Sequence, residues 1–484
     1  MAEKGFRTEE DTLGPIKVPA QAYYGAQTMR AAQNFPVSAI RAEEVFIRAT
    51  AMVKKAAASA NTGLGLLTRR KGAAIMRAAS EVISEKEKGT GRLLDQFIVD
   101  VYQAGAGTSH NMNANEVIAN RAIEILRGGR GDYSIIHPND DVNMSQSTND
   151  TFPTSMRVAA LLSSAGLLKA LKGLKMELNR KARKFNSIIK SGRTHLQDAV
   201  PVSLGSDFAS YASTIDSSMA RIKRASEGLK RIGLGGTATG TGLNTHPSYR
   251  QRVVRELSKI SAIKGLKKAP DRGAAFEALS SMSDFSSFSA SLKDLAIDLT
   301  KIANDLRLLS SGPRTGLSEI RLPAVQPGSS IMPGKVNPVM AEMLNMVCFQ
   351  VIGNDLAVTM AAQAGQFELN VMGPVINYNI LQSIKILTNA ISAFSEKCVK
   401  GIEADRKRCE QYFESSVGLA TVLNPFIGYE KAAGVAKESA TTGKTIKEVV
   451  IEKGIMGEKE WKRLLAPKRV TGPMDIKAVK KKGR

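Results

Sequence analysis

The sequence predicts an all-α protein organised around a bundle of long helices, and three observations carry that expectation. Aromatic residues make up only 5% of the chain, while alanine and leucine are abundant, a balance that favours helix over sheet. Between Ser291 and Leu309, the residues Leu292, Leu295, Leu299, Ile302, Leu306 and Leu309 alternate three- and four-residue spacings without a break, the pattern of a helix seam buried against other helices. Ile376, Ile380, Ile384, Leu387, Ile391 and Phe394 draw a second apolar stripe over Pro374–Phe394.

Taken in order, Met1 to about Pro36 reads as irregular, punctuated by Gly14-Pro15, Val18-Pro19 and Tyr23-Tyr24-Gly25. An alanine-rich pattern from Arg41 to about Arg127 predicts several helices, interrupted near Gly63–Gly65 and Glu87–Gly91. Long helices follow over Thr154–Phe185 and Ser203–Arg231, with Arg193–Pro201 as an interruption between them. Gly312-Pro313 ends the Ser291–Leu309 helix. A further helix is expected over Val339–Val351, with Asn337 as its N-cap and Pro338 at its first position. About five long amphipathic helices with wide apolar faces point to a bundle whose helices also meet those of other subunits. The expected division is an N-terminal, mainly helical domain over 1–145, a central long-helix bundle over 146–402, and a small C-terminal helical domain over 403–484.

With 484 residues the chain can bury large cores. No apolar run is expected to span a bilayer, and the start Met1–Thr12 is charged rather than signal-like. A soluble, cytoplasmic protein follows as the expectation. The cysteines Cys348, Cys398 and Cys409 lack the pattern of a disulfide framework or a zinc site. The histidines His110, His137, His195 and His246 are not spaced as metal pairs, so no metal is expected. The net charge of +23 is spread along the chain, with clusters at Lys54-Lys55, Arg69-Arg70-Lys71, Arg180–Lys184 and Lys480–Lys482. No nucleic-acid motif and no interleaved aromatics accompany these runs, so they read as solvated surface, with neither nucleic acid nor membrane as partner. The tail Lys477–Arg484 is expected to be disordered.

Chemistry concentrates in a few stretches. Gly328–Pro338 places two serines, a lysine and an asparagine among glycines and prolines, just before a helix. A lysine, an amide and unpaired N–H groups at a helix start make a site for a carboxylate. Gly105–Asn113 has glycines followed by hydroxyls, which can cradle an anion, but no GK[ST] follows and no strand precedes it. In His137–Asp150, the run Ser147-Thr148-Asn149-Asp150 holds four capping residues where a cap needs one. The turn Gly235–Gly242 lacks both the GxGxxG pattern and a flanking strand.

GSSIMPGKVNP (Gly328–Pro338) resembles the signature loop of the fumarase/aspartase superfamily, whose members eliminate fumarate from a substituted succinate. AYYGAQT (Ala22–Thr28), the Gly105–Asn113 block and the His137–Asp150 block resemble further family segments in the expected order, so the resemblance runs from Ala22 to about Leu465. It implies a homotetramer with each active site shared between three subunits, a small dicarboxylate substrate, and no organic cofactor. Ser329 takes the position of the catalytic base, an alkoxide that needs backbone N–H donors and nearby positive charge. Thr108, Ser109, Ser147, Thr148, Asn149 and Ser330 become donors to the carboxylate that stores the carbanion's charge and to the leaving group. Lys335, Asn337 and Thr194 clamp the other carboxylate. His195 falls at the leaving group, paired with Glu342, and His137, Asn139 and Asp140 resemble a secondary carboxylate site.

Thr148 in Gln-Ser-Thr-Asn, together with LQDAVP, Thr359–Met372 and Asn424–Gly428, resembles the aspartase branch. His137–Asp141 and GTGLNTHP (Gly240–Pro247) are more fumarase-like, and Gly373 stands where aspartases usually carry glutamate. The reading is a carbon–nitrogen lyase that releases ammonia from L-aspartate, with reversible hydration of fumarate as the alternative.

Overall fold

The computed structural model describes residues 5–85 and 92–473. The expected interruption at Glu87–Gly91 and the basic tail from Lys477 lie outside the described residues.

A hairpin opens the chain, β1 (Phe6–Asp11) pairing antiparallel with β2 (Gly14–Pro19) from Phe6↔Pro19 to Asp11↔Gly14. Four helices follow: α1 (Ala26–Asn34), α2 (Glu44–Gly63), α3 (Arg69–Ser84) and α4 (Thr108–Ile125). Next come α5 (Thr148–Lys184), a second hairpin of β3 (Ile189–Thr194) and β4 (Gln197–Ser203), and α6 (Leu204–Leu229). Then come α7 (Tyr249–Ser261), α8 (Arg272–Ser280), α9 (Ser283–Leu309), α10 (Val339–Gln363) and α11 (Gly373–Lys397), with shorter helices over residues 406–470. The all-α expectation holds, with strands confined to two-stranded pairs among the described residues.

The seam of α9 is buried from Leu292 to Leu309, and so is the α11 stripe from Ile376 to Phe394. Both follow from period alone, because an apolar stripe on one helix face must be covered. Helix α9 starts earlier than expected, since Phe285 and Phe288 are buried within the serine-rich run Ser283–Ser291. Helix α10 continues past Val351 to Gln363. Its 25 residues are long and apolar enough, by length and composition, to cross a bilayer, contrary to the expectation that no run is. The helix nonetheless carries Asp355, which accepts from Ser289 Oγ at 2.7 Å and pairs with Lys293 Nζ at 2.7 Å.

The chain forms two compact units, and their boundaries fall inside α5, α6, α9, α10 and α11. The first is built on Met1–Lys169, Met219–Ala296 and Cys348–Thr388. Here α2 packs on α3 and α7, and α3 on α4. Ala74, Ala78, Ala79, Ala119 and Ala122 line one core with Ile75, Ile118 and Ile123, small side chains that let helix axes approach closely. The N-terminal stretch expected to be irregular instead has order with an identifiable cause. Glu116 of α4 accepts from the N–H groups of Gly25 (2.7 Å), Gln27 (2.9 Å) and Thr28 (3.1 Å), so it caps α1 from outside.

Burial, against these hydrogen bonds and with Glu9 nearby, pushes the Glu116 carboxyl up to about 7. The folded chain then holds this proton more tightly than the unfolded chain does. Between the ordinary carboxylate range and about 7, stability must therefore fall as pH rises. Measured as the difference between wild type and Glu116→Gln, the fall should be on the order of 1 kcal/mol per pH unit, flattening above pH 7. A difference independent of pH in urea unfolding would show that the carboxyl is ionised throughout.

The second unit comprises Ala170–Ser218, Ile297–Val347 and Asn389–Arg484. Its C-terminal core gathers Leu419, Leu423, Val435, Ile446, Val449 and Trp461. The β3–β4 hairpin stands where only an interruption was expected. Its turn residues His195 (φ 54°) and Leu196 (φ 60°) both adopt left-handed backbone, as a two-residue type I′ connection requires. The turn lacks the Asn-Gly signature that would have announced it. The hairpin is anchored by Arg193, which makes a bidentate pair with the fully buried Glu319 (Nη1–Oε2 2.8 Å, Nη2–Oε1 3.0 Å). Lys190 Nζ lies 3.6 Å from the same carboxylate. Removing one member of such a group leaves uncompensated buried charge, so Glu319→Ala should cost about 3–5 kcal/mol. It should appear as a large drop in melting temperature, and an unchanged melting temperature would mean that the pair is solvated.

Candidate active site

In the second unit, the Gly328–Pro338 segment is a loop folded on itself. The Gly328 N–H donates to Lys335 O (2.8 Å), and the Asn337 side-chain N–H donates to Gly328 O (2.7 Å). Gly328 fits because a Cβ there would lie 2.5 Å from Lys335 O. Asn337 therefore does not cap α10 as expected: its amide turns back to close the loop, and the helix starts at Val339. Inside the loop, Ser329 Oγ accepts from the backbone N–H groups of Ile331 (3.2 Å) and Met332 (3.0 Å). Two donors converging on one hydroxyl oxygen favour negative charge on it. Ser330 and Lys335 are exposed, and Glu342 is half-buried in the first turn of α10.

Thr194 and His195 sit exposed at the tip of the β3–β4 hairpin. Within the single chain, His195 and Glu342 form no ion pair or hydrogen bond with each other among the described residues. The expected partnership is not made within this chain among the described residues.

The first unit carries the other residues. Gly107, at φ 85°, precedes α4, and a Cβ there would lie 2.1 Å from the Phe152 ring. This glycine seats the start of α4 against α5, leaving Thr108 exposed and Ser109 buried. At the start of α5, Ser147 Oγ accepts from Asn149 N (3.2 Å), and Asp150 Oδ1 accepts from Ser147 N (3.0 Å). Ser147 and Asp150 thus do the capping, and Thr148 is left half-buried with its hydroxyl accepting from Asn111 Nδ2 (3.0 Å). Asn149 Nδ2 donates to Ala238 O at 2.9 Å.

Asp150 gives the glycine-rich turn its purpose. Its Oδ2 accepts from the N–H groups of Gly235 (2.9 Å) and Thr237 (2.9 Å), so the turn braces the start of α5. Burial pushes the Asp150 carboxyl up to about 6, against these hydrogen bonds and the charge of Lys54. Sequence reading missed that role, and it placed Lys54 in a surface cluster when the side chain is fully buried. Only its position on the apolar face of an alanine-rich helix could have signalled this.

His137 Nδ1 accepts from the N–H groups of Asn139 (3.2 Å) and Asp140 (3.2 Å), which makes it the cap of a short π-helical turn, Pro138–Val142. His137 N and Lys71 Nζ both bind Asp141 Oδ2. The three residues expected as a secondary carboxylate site are brought together, with Asn139 and Asp140 exposed.

Backbone donors on a serine oxygen, in a loop that a lysine and a helix start make attractive to carboxylates, suit an enzyme that removes a proton from carbon. On an all-helical scaffold, that is the build of a carbon–heteroatom lyase. The chain belongs to the lyase family that includes the fumarases and aspartases: residues 14–353 match the family model described as Lyase, and residues 419–472 match the one described as Fumarase C C-terminus. It is 48% identical over 473 residues to an aspartate ammonia-lyase of Bacillus subtilis, covering 97% of both chains. Among solved structures, it matches a fumarate lyase:delta crystallin from Brucella melitensis bound to cobalt, at 50% identity and a TM-score of 0.92, covering 97% of this chain and 100% of that one. It also matches a class II fumarase from Schistosoma mansoni at 37% identity and a TM-score of 0.90, covering 96% and 98%.

Proposed function

We propose that this chain eliminates ammonia from L-aspartate to give fumarate, and that Ser329 is the base. The likeness to aspartate ammonia-lyases along nearly the whole chain supports the choice of substrate. The observation that carries the mechanism is the pair of N–H donors on Ser329 Oγ. As an alkoxide, Ser329 takes the proton from the carbon next to one carboxylate. The electron pair moves into that carboxylate as an enediolate, then returns to form the carbon–carbon double bond as the carbon–nitrogen bond breaks. Hydroxyl and amide groups of Thr108, Ser109, Ser147, Thr148, Asn149 and Ser330 hold the enediolate and leaving group. Lys335 and Thr194 hold the other carboxylate, and Asn337 acts in part by closing the loop. Gripping both ends supplies the orientation on which the rate depends.

The active form is read as a homotetramer with sites shared between three copies. Met346, Phe349, Leu356 and Met360 are exposed along one face of α10, at the spacing of an uncovered seam. The cytoplasm is the proposed location.

Fumarate absorbance with L-aspartate in one cuvette and L-malate in another tests the substrate. Formation from aspartate is expected. Formation from malate alone would move the assignment to a hydratase and give the His137–Asp140 turn the greater interest.

A further inference from the structure

We propose that Lys54 is a positioning residue that makes Thr148 a hydrogen-bond donor to the substrate, acting through the Asn111 amide. This rests on the fumarate-forming reading above and names a buried charge that serves the same site.

Lys54 lies in α2, fully buried, and an ammonium group offers three donors and no acceptor. Three amide oxygens meet it: Asn111 Oδ1 at 2.7 Å, Asn143 Oδ1 at 2.9 Å and Gln146 Oε1 at 3.0 Å. The cage matches a charged ammonium, because a neutral amine would turn its lone pair towards an oxygen. The charge in turn fixes each amide oxygen-inward, since a flipped amide would aim an N–H at a cation.

The outward amide nitrogens then have set tasks. Gln146 Nε2 donates to Val142 O (3.0 Å) and Met144 O (3.1 Å), holding the turn that leads into α5. Asn111 Nδ2 donates to Thr148 Oγ1 at 3.0 Å and to Asn143 Oδ1 at 3.2 Å. With its oxygen accepting from Asn111, Thr148 keeps its own O–H to give away. Among the described residues, no hydrogen bond uses that proton. The order of polarity runs from ammonium to amide to hydroxyl, and a carboxylate oxygen is the ligand that completes it. Each link polarises the next in a low-dielectric interior.

The charged and titratable groups around Lys54 fit this arrangement. Asp150 on α5 favours the ammonium, opposing the burial that draws Lys54 down to about 7. His110 on α4 is kept neutral by burial and by Lys54 itself, pushed down to about 3. Its ring stacks on Phe46 with centroids 4.5 Å apart, and its Nε2 lies 3.0 Å from Thr50 Oγ1, so it is satisfied without competing for the Lys54 cage.

The test is a double-mutant cycle on aspartate turnover, with succinate inhibition as a second readout. Asn111→Leu breaks the relay while leaving Lys54 two of its three partners, and Lys54→Met removes its source. Each should lower kcat/KM by about 10- to 100-fold in the wild-type background. In a Thr148→Val background, either change should cost less than about threefold further. In a Thr148→Ser background, which keeps the hydroxyl, the full loss should return. Succinate should inhibit the Asn111→Leu protein more weakly, by a similar factor. If the losses multiply in the Thr148→Val background, Lys54 and Asn111 support only the core, and the relay is wrong. If Lys54→Met does not fold, the Asn111→Leu arm decides alone. A wild type inactive on aspartate and malate removes the fumarate-forming reading and the relay together, whereas an active wild type with multiplying losses removes only the relay.

Discussion

Ser329→Ala should lower fumarate formation from aspartate by about a thousandfold, the scale expected when a positioned base is removed. The two N–H donors of Ile331 and Met332 then face no oxygen. The same hydrogen bonds also shape the turn, so a loss of rate could arise from a collapsed loop. Succinate, which needs no base, separates the two cases. If the variant is still stabilised against heat by succinate as the wild type is, the loop is intact and the loss is chemical. Activity within tenfold of wild type would exclude Ser329 as the base. Loop closure by Gly328 and Asn337 does not involve the Ser329 side chain, which is why the intact outcome is expected.

Lys335→Met should raise KM for aspartate by about 10- to 100-fold, with a smaller change in kcat. A charge-assisted hydrogen bond to a carboxylate contributes roughly 1.5–3 kcal/mol, and a clamp that grips substrate and transition state alike acts on KM. The Lys335 backbone holds the loop through its carbonyl, which accepts from Gly328 N, while its side chain is exposed and makes no hydrogen bond among the described residues. The substitution therefore leaves the loop's own bonds in place. A fall in kcat with KM unchanged would instead put this ammonium near the enediolate.

What could be read from the sequence, and what could not, divides along physical lines. The seams of α9 and α11 were legible because burial on one helix face imposes a period. The loop bearing Ser329 was legible because its composition cannot pack. The β3–β4 hairpin was not, since His195 and Leu196 occupy left-handed positions that their side chains do not advertise. It is held there by Arg193 on Glu319, a contact between residues far apart in the chain. Asn337 looked like a helix cap by its place before Pro338, but its side chain was claimed by Gly328 O, a choice that only the closed loop reveals. Lys54 was misplaced because a lysine pair ordinarily marks solvent, and the three amides that satisfy it come from two other segments of the chain.

The manner in which Ser329 is held has a use beyond catalysis. Ile331 and Met332 serve its oxygen with their main chain, while the residues themselves stand 83% and 49% exposed. The bonds that hold Ser329 are thus made by the main chain of two residues whose exposed side chains take no part in them. A library that varies both positions can search for new substrates without disturbing the base, so long as it omits proline, the one residue with no N–H to offer.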